Sequence, residues 1–365
     1  MTPTEIRARS GKTIRVGIVG IGNWARHGHL RVLDLLPAYE VLAIQARRAE
    51  VAAAAAEEYG IRYVVATPDA LVTHPEVDLV VVLNTAPQHA DTVRAAIAAG
   101  KDVYCEWPLT PQIELSRELI HLAQVAGVRT VVGLQRRLAP HNRYVADLLK
   151  DGFVGKMRSV RMQVSTNSFQ ATRPRALAWS VPPENFSSAI AIYGGHYLDM
   201  LFAATGWPDS FVGVALNQFK VVTIAETGER IPTANPDELV VGGTIGNAVV
   251  SIHIEGGKRN GAGVQIDITG DEGDLRIVNS SAFGGVGDDY RIAGVRGNAQ
   301  PLQPMPVPAS YGRIPASDLP SAVLELAELY AAFSQDATSG DKTAPTFEDA
   351  IVLHEFLNAA MRDLR

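Results

Sequence analysis

Two hydrophobic rhythms divide the chain. In the first, short apolar runs alternate with stretches whose apolar residues recur every three or four positions. Val16–Val19 is such a run; it turns through Gly20 and Gly22 and feeds a helical stretch carrying Leu30, Leu33 and Leu36. Tyr39–Ala46 reads as a second strand, followed by an Ala-rich helix that stops at Gly60, and Arg62–Val65 as a short third strand. Thr67-Pro68-Asp69 opens a helix, with Thr67 as N-cap and Pro68 at the first helical position. Asp78–Leu83 is continuously apolar after its first residue, as a strand buried on both faces should be. A helix over 88–99 ends at Gly100, Asp102–Cys105 is a strand, Thr110-Pro111 starts a helix by the same capping logic, and Thr130–Leu134 is the next strand. This alternation predicts an α/β fold, a doubly wound parallel sheet over residues 14–136.

Near residue 150 the rhythm changes to period two. Arg158–Val164, Val212–Phe219, Leu239–Ile245, Val249–Ile254, Val264–Thr269 and Asp274–Val278 alternate polar and apolar positions. Successive strands without intervening helices predict a sheet with one face covered and one open. His196–Ala204 reads as a helix behind a loose, aromatic-bearing stretch at 165–193. Residues 281–315, rich in Gly and Pro, read as one long connection. Helices over Leu319–Phe333 and Phe347–Leu364 close the chain. The expected organisation is a flexible N-terminus (1–13), a nucleotide-binding domain (14–136) and an α+β domain (137–365) whose C-terminal helix is free to pack back on the first.

The first turn carries chemistry. Gly20-Ile-Gly22-Asn23-Trp24-Ala25 lies between strand and helix, the context that a dinucleotide fingerprint requires. Gly20 permits the tight turn, Gly22 the approach of a pyrophosphate, and Ala25 close packing of helix on sheet, while the helix N-terminus offers N–H groups to the phosphates. A bare strand–turn–helix would look the same over these few residues. Where a site for the unphosphorylated cofactor places a carboxylate for the ribose, this chain has Gln45-Ala46-Arg47-Arg48. Two guanidiniums suit a 2′-phosphate, so NADP(H) is the expected cofactor and NAD(H) the second candidate. A solvated strand end is the other reading of those arginines.

Composition narrows the partners. The chain has 365 residues, 47% hydrophobic and 20% charged, with a net charge of −6, so no basic face is advertised to nucleic acid. Cys105 is the only cysteine, which excludes a disulfide framework or a cysteine-based metal cluster within one chain. The nine histidines show no ligand spacing, and no metal is expected. Neither a signal-peptide core nor a membrane-spanning apolar run is present, so a cytoplasmic protein is expected.

Two further stretches stand out. Glu106, in Lys101-Asp-Val-Tyr-Cys-Glu-Trp-Pro-Leu-Thr110, falls at the carboxyl end of a parallel strand, where such sheets place ligands. In Gly194-Gly195-His196-Tyr197-Leu198-Asp199, paired glycines bring backbone close to a neighbour and His196 opens a helix, a candidate acid or base or a structural histidine.

Taken together, these motifs resemble the glucose–fructose oxidoreductase, inositol dehydrogenase and MocA (Gfo/Idh/MocA) family from residue 14 to the last helix. The resemblance is carried by Val16-Gly-Ile-Val-Gly-Ile-Gly22, His89 ahead of Gly100-Lys101, and Cys105-Glu-Trp-Pro-Leu109, where the family commonly has Glu-Lys-Pro. It continues through Gly133-Leu-Gln-Arg-Arg137 with Pro140, Asp151-Gly-Phe-Val-Gly155 and Gly194-Gly-His-Tyr-Leu-Asp199. It implies NAD(P)-dependent hydride transfer, often to sugars or cyclic polyols, and a large, open, mainly antiparallel second sheet that mediates homodimers or homotetramers. The family's proton-transferring lysine falls on Trp107, whose indole N–H cannot accept a proton as an amine can. The family's aspartate four residues before the histidine falls on Ile192. Glu-Trp-Pro with Gly-Gly-His is similar to a branch that includes the yeast galactose-pathway repressor, where the dinucleotide is bound and dehydrogenase activity is not the known role.

These readings define candidate residues. Gly20, Gly22, Asn23, Trp24, Arg47, Arg48, Thr85, His89, Glu106 and Trp107 are expected to hold the cofactor, and His196, Tyr193 and Trp107 to serve the chemistry, with Tyr197 a further proton donor. Arg137, Trp179, Tyr193, His196 and Asp199 are expected at the substrate, with Phe169 lining it and Arg173 and Arg175 available to a carboxylate. Trp107 as a flat apolar wall favours a small cyclic, aromatic or conjugated carbonyl or alcohol substrate. A dinucleotide-sensing regulatory protein and a lyase or isomerase using transient oxidation are the alternatives.

Overall fold

The computed structural model describes residues 13–284, 289–315 and 317–362; most of the expected flexible N-terminus, and the end of the last helix, lie outside them. By contacts the chain divides into two units. One runs to Gln135 and takes in Val323–Val352; the other comprises Arg136–Ala322 and the residues from Leu353 on.

The first unit is built on six parallel strands: β1 (Ile14–Val19), β2 (Tyr39–Gln45), β3 (Tyr63–Val64), β4 (Leu79–Val82), β5 (Asp102–Cys105) and β6 (Thr130–Val132). Their order is β3-β2-β1-β4-β5-β6, so the chain reverses direction across the sheet between β1 and β4. That switch point opens a crevice at the carboxyl ends of the strands, the usual ligand position in such sheets. β4 is buried at all four positions, which is why it reads as an unbroken apolar run. The helices are α1 (Leu30–Leu35), entered through a wide π-type turn at Ala25–His29, then α2 (Ala49–Tyr59), α3 (Pro68–Val72), α4 (His89–Ala98) and α5 (Ile113–Ala126). Thr67 caps α3 as expected, its Oγ1 accepting from the Ala70 N–H at 3.2 Å. Thr110 does not cap α5. It is buried, its hydroxyl donates to the Gln112 carbonyl, and Gln112 precedes the helix.

Val323–Val352 joins this unit although the pattern placed it in the second domain. The helix of Ser321–Ser339 buries Leu326, Leu329, Tyr330 and Phe333. Tyr330 stacks on Tyr104 at 5.2 Å and its carbonyl accepts from Tyr39 at 2.7 Å, while the Arg129 guanidinium lies 4.3 Å over the Phe333 ring. An aromatic face of that size needs a partner, and the apolar flank of β2 and β5 supplies it.

The second unit holds β7 (Met157–Ser165), β8 (Thr172–Arg173), β9 (Ser210–Leu216), β10 (Val221–Ile224), β11 (Arg230–Pro232), β12 (Glu238–Ile245), β13 (Ala248–Glu255), β14 (Gly263–Gly270), β15 (Gly273–Asn279), β16 (Arg291–Arg296) and β17 (Gln303–Pro304). Eight of them form one sheet in the order β17-β16-β15-β14-β7-β13-β12-β9, mainly antiparallel, and β11-β10-β8 form a second, small one. The 281–315 stretch is therefore not a single connection. Arg291–Arg296 alternates in burial and pairs with β15, a short strand hidden between Gly-rich flanks. A helix over Pro140–Lys150, α6, also escaped the pattern, as did the small sheet. The turn at Ile190–Gly194 that leads into α7 (Gly195–Thr205) lies against β13 of the large sheet. Among the described residues no helix is long and apolar enough to cross a membrane.

Candidate active site

The crevice of the first unit begins at Gly20. Its φ of +98° suits glycine, and its N–H donates to the Gln45 carbonyl at 2.9 Å. A Cβ there would lie 2.7 Å from the Asn84 backbone nitrogen, so the turn passes against the end of β4 without room for a side chain. Gly20→Ala is expected to cost roughly 2 kcal/mol from backbone strain alone, before the clash, measured as a loss in urea-denaturation stability. Gly22 differs: it is exposed and nothing lies within 4 Å of the place a Cβ would take, leaving its backbone open to a ligand. Asn23 is exposed beside it. Arg47 and Arg48 follow Gln45, the residue bonded to Gly20, and both are exposed. Arg48 reaches Glu50 only at 4.0 Å, and among the described residues nothing pairs with Arg47. A turn open to phosphate beside two exposed guanidiniums fits an anionic dinucleotide.

Glu106, at the carboxyl end of β5, is held by several side chains of this unit. Its Oε1 accepts from the Trp24 indole at 3.3 Å and the Tyr104 hydroxyl at 2.8 Å, and lies 2.8 Å from His29 Nε2. His29 is buried, and its Nδ1 lies 2.8 Å from the Tyr330 hydroxyl. Burial pushes the Tyr104 and Tyr330 phenols well above their ordinary range, so both keep their protons and can donate. Gly133 makes space for the arrangement, since a Cβ there would meet Glu106 Oε2 and the Tyr104 oxygen at 2.8 Å. His29, Tyr104 and Tyr330 were not singled out from sequence, and Gly133 stood only at the start of a motif in the family resemblance. Only Tyr104 left a signal, standing two positions before Glu106 and so on the same side of the strand.

Other candidates are placed differently from expectation. His89 is buried with its ring nitrogens on backbone: Nδ1 lies 3.0 Å from the Pro108 carbonyl and Nε2 2.8 Å from that of Asn84. It braces the loops after β4 and β5 and has no ring edge left for a cofactor. Burial lowers its pKa, the backbone carbonyls opposing that. Trp107, joined to Pro108 by a cis peptide, is 5% exposed and so offers little ring face as a wall. Thr85 is exposed just after β4, before a 3₁₀ turn at Ala86–Gln88.

In the second unit, Arg137 is not available to a substrate carboxylate. Its Nε donates to Asp199 at 2.9 Å and its Nη2 makes a second, shorter bond to the same group; the side chains are 16% and 0% exposed. The Nε–Nη2 edge of the guanidinium is closed on the carboxylate, which withdraws that edge and Asp199 from the substrate. Arg173 is likewise internal. It donates to the Gln170 carbonyl at 3.0 Å and lies 5.1 Å over the Phe169 ring, which is itself buried. Arg175 is exposed. Tyr197 is buried and donates to the Ala282 carbonyl at 2.8 Å, a bond that ties helix to loop and removes it as a proton donor.

Tyr193 and His196 remain, three residues apart on the continuous stretch from the π-type turn Ile190–Gly194 into α7, both partly exposed. Trp179 is exposed at the end of the Arg175–Ser180 turn. The neighbour that the paired glycines admit is the sheet, because a Cβ on Gly194 would stand 3.2 Å from Ile254 of β13. Among the described residues no group of three or more His, Cys, Asp or Glu is placed to hold a metal.

Residues 14–134 match the model of an oxidoreductase family with an NAD-binding Rossmann fold, and residues 140–279 match the model of the Gal80p C-terminal domain. The dehydrogenase AclE of Aspergillus oryzae is 29% identical over 259 residues, covering 67% of this chain and 70% of its own. The galactose/lactose metabolism regulatory protein GAL80 of Saccharomyces cerevisiae is 23% identical over 314 residues, 79% of this chain and 72% of its own. Among solved structures, the 3-ketoreductase KijD10 of Actinomadura kijaniata, in complex with NADP and TDP-benzene, aligns with a TM-score of 0.75 at 20% identity, over 97% of this chain and 98% of that one. Residues 14–134 thus resemble the NAD-binding Rossmann domain of the Gfo/Idh/MocA oxidoreductases and residues 140–279 the Gal80p C-terminal domain, and together with the dehydrogenases and reductases to which the chain is similar they support an NAD(P)-dependent oxidoreductase.

Proposed function

We propose that this protein is an NADP(H)-dependent oxidoreductase for a small cyclic, aromatic or conjugated carbonyl or alcohol. The observation that carries the cofactor reading is the pair Arg47–Arg48, exposed directly beyond the Gln45 carbonyl that anchors the Gly20 turn. The dinucleotide supplies or takes a hydride when bound. The chain's own residues do the rest. Gly20 and Gly22 admit the pyrophosphate, Asn23 and Thr85 stand exposed at the strand ends, and the arginines hold the ribose phosphate. His196 and Tyr193 are the groups we assign to the proton at the substrate oxygen. Trp107 stands where the family lysine would, so a substrate whose conjugated system accepts hydride without that lysine suits the chain better than a bare polyol. Trp179 adds an exposed aromatic surface in the second unit. The test is a fluorescence titration with NADPH and NADH, followed by a screen of carbonyl, imine and enone compounds for loss of the reduced-nicotinamide absorbance. Tight dinucleotide binding without turnover on any class would move the protein to the second reading.

That reading is a dinucleotide-sensing regulator, favoured by the Gal80p-type second domain and by tryptophan at the lysine position. We also propose that the chain forms homodimers or homotetramers through the open face of the large sheet, in the cytoplasm. Val212, Val214, Val240 and Val249 share that face by register, and Val212 and Val249 are 74% and 60% exposed.

A further inference from the structure

We propose that Gln135 binds the nicotinamide carboxamide, its side-chain oxygen standing unpaired in the free protein and accepting the carboxamide N–H of the bound dinucleotide. The proposal rests on the reading of the Gly20 turn as an NADP(H) site.

Gln135 is 6% exposed, and its Oε1 is sealed from solvent without a hydrogen-bond partner among the described residues. An amide oxygen in that state has given up water and received nothing in return. It weakens the fold until a donor from outside the protein completes it. The chain leaving β6 sets its place. Gly133 donates its N–H to the Cys105 carbonyl at 2.9 Å, and a Cβ there would lie 2.8 Å from Glu106 Oε2. This holds the segment against the end of β5, and Gln135 follows two residues later, at the head of the Gln135–Leu138 turn. It therefore stands beyond the carboxyl ends of the strands, the ligand side of such a sheet.

A second sealed amide oxygen lies on the other side of β5. Asn84 Oδ1, two residues past β4, also lacks a partner among the described residues. Its orientation is fixed: the Thr92 hydroxyl donates to the Gln88 carbonyl at 3.3 Å and so accepts from Asn84 Nδ2 at 3.2 Å. The strand order then gives the direction of the ligand. Arg47 and Arg48 are exposed beyond β2 and the glycine turn follows β1, so a dinucleotide held by both runs its nicotinamide half over β4, β5 and β6. That half carries ribose hydroxyls near the pyrophosphate and the carboxamide NH2 at its far end. Asn84 lies against Gly20 and the phosphates, whereas Gln135 follows the last strand of the row, which matches it to the far donor.

The test uses the whole chain and reads binding and unfolding. Calorimetry gives the affinities of the wild type and of Gln135→Met for NADP+ and for its acetylpyridine analogue, in which methyl replaces the carboxamide NH2. The wild type is expected to bind NADP+ about tenfold more tightly than the analogue. Gln135→Met, similar in volume but without the acceptor, is expected to lose about tenfold toward NADP+ and to stay within about twofold toward the analogue. Urea unfolding without dinucleotide separates this from a structural role: removing an unpaired amide should leave the midpoint within about 0.5 M of the wild type or raise it. A larger fall, or a variant that does not fold, would show that the protein itself needs the amide and would overturn the proposal. Equal wild-type affinity for NADP+ and the analogue, or a preference that the variant keeps, would overturn it too and leave the cofactor reading intact. A wild type that binds neither dinucleotide would remove that reading, and the proposal with it.

Discussion

Arg47→Asp is expected to weaken NADPH binding about 100-fold, close to 3 kcal/mol, while changing NADH binding by no more than about threefold. The guanidinium has no competing partner among the described residues and stands exposed at the end of β2, so its full hydrogen-bonding capacity is open to a phosphate. Reversing its charge removes those bonds and sets a carboxylate against a doubly charged group. It also restores the acidic residue that a ribose 2′-hydroxyl prefers at this position, so NADH should not suffer and is expected to gain slightly. Arg48, already near Glu50, is expected to show the smaller effect of the two when replaced alone. Parallel fluorescence titrations with NADPH and NADH check the prediction, and equal losses for both would exclude a contact to the 2′-phosphate.

Asp199→Ala is expected to have the largest effect on stability, about 3–5 kcal/mol. The mutation removes the carboxylate that closes the Nε–Nη2 edge of the Arg137 guanidinium, whose side chain is 16% exposed. The cost is that of a largely buried charge losing the carboxylate bound at its Nε–Nη2 edge, rather than the worth of the ion pair. Asp199→Asn keeps the shape and one acceptor, and should lose less. Urea denaturation of both variants measures the difference. A loss below about 1 kcal/mol for the alanine variant would show that Arg137 swings into solvent and pairs loosely.

The contrast between these two arginines shows where sequence reading works. The exposed position of Arg47 and Arg48 beyond β2 was legible because it depends on a local offset: a strand of known length, a glycine turn, and the residues at the next strand's end. Arg137 looked equally available to a substrate, yet it is consumed by Asp199, 62 positions later. His89 and Tyr197 failed in the same way. Each carries a reactive group that tertiary packing has already paired with backbone carbonyls of another segment. The strand at Arg291–Arg296 was missed for a different reason. Its six residues follow the expected alternation, but the Gly-rich flanks outweighed so short a signal.

The chain's own order of residues determined the parallel sheet, the glycine turn, the direction of the second sheet's alternation and the exposed arginines that follow β2. All of these follow from spacing within one or two adjacent elements, where backbone geometry fixes which side chains share a face. Only the tertiary structure decided which polar groups remain usable. It brought Tyr330 to His29 across 301 positions and set both behind Glu106. It also gave Gly133 the task of leaving room for that carboxylate. The physical reason is that burial obliges every donor and acceptor to find a partner. Which partner it finds is set by how distant elements pack, and periodicity along the chain carries no record of that.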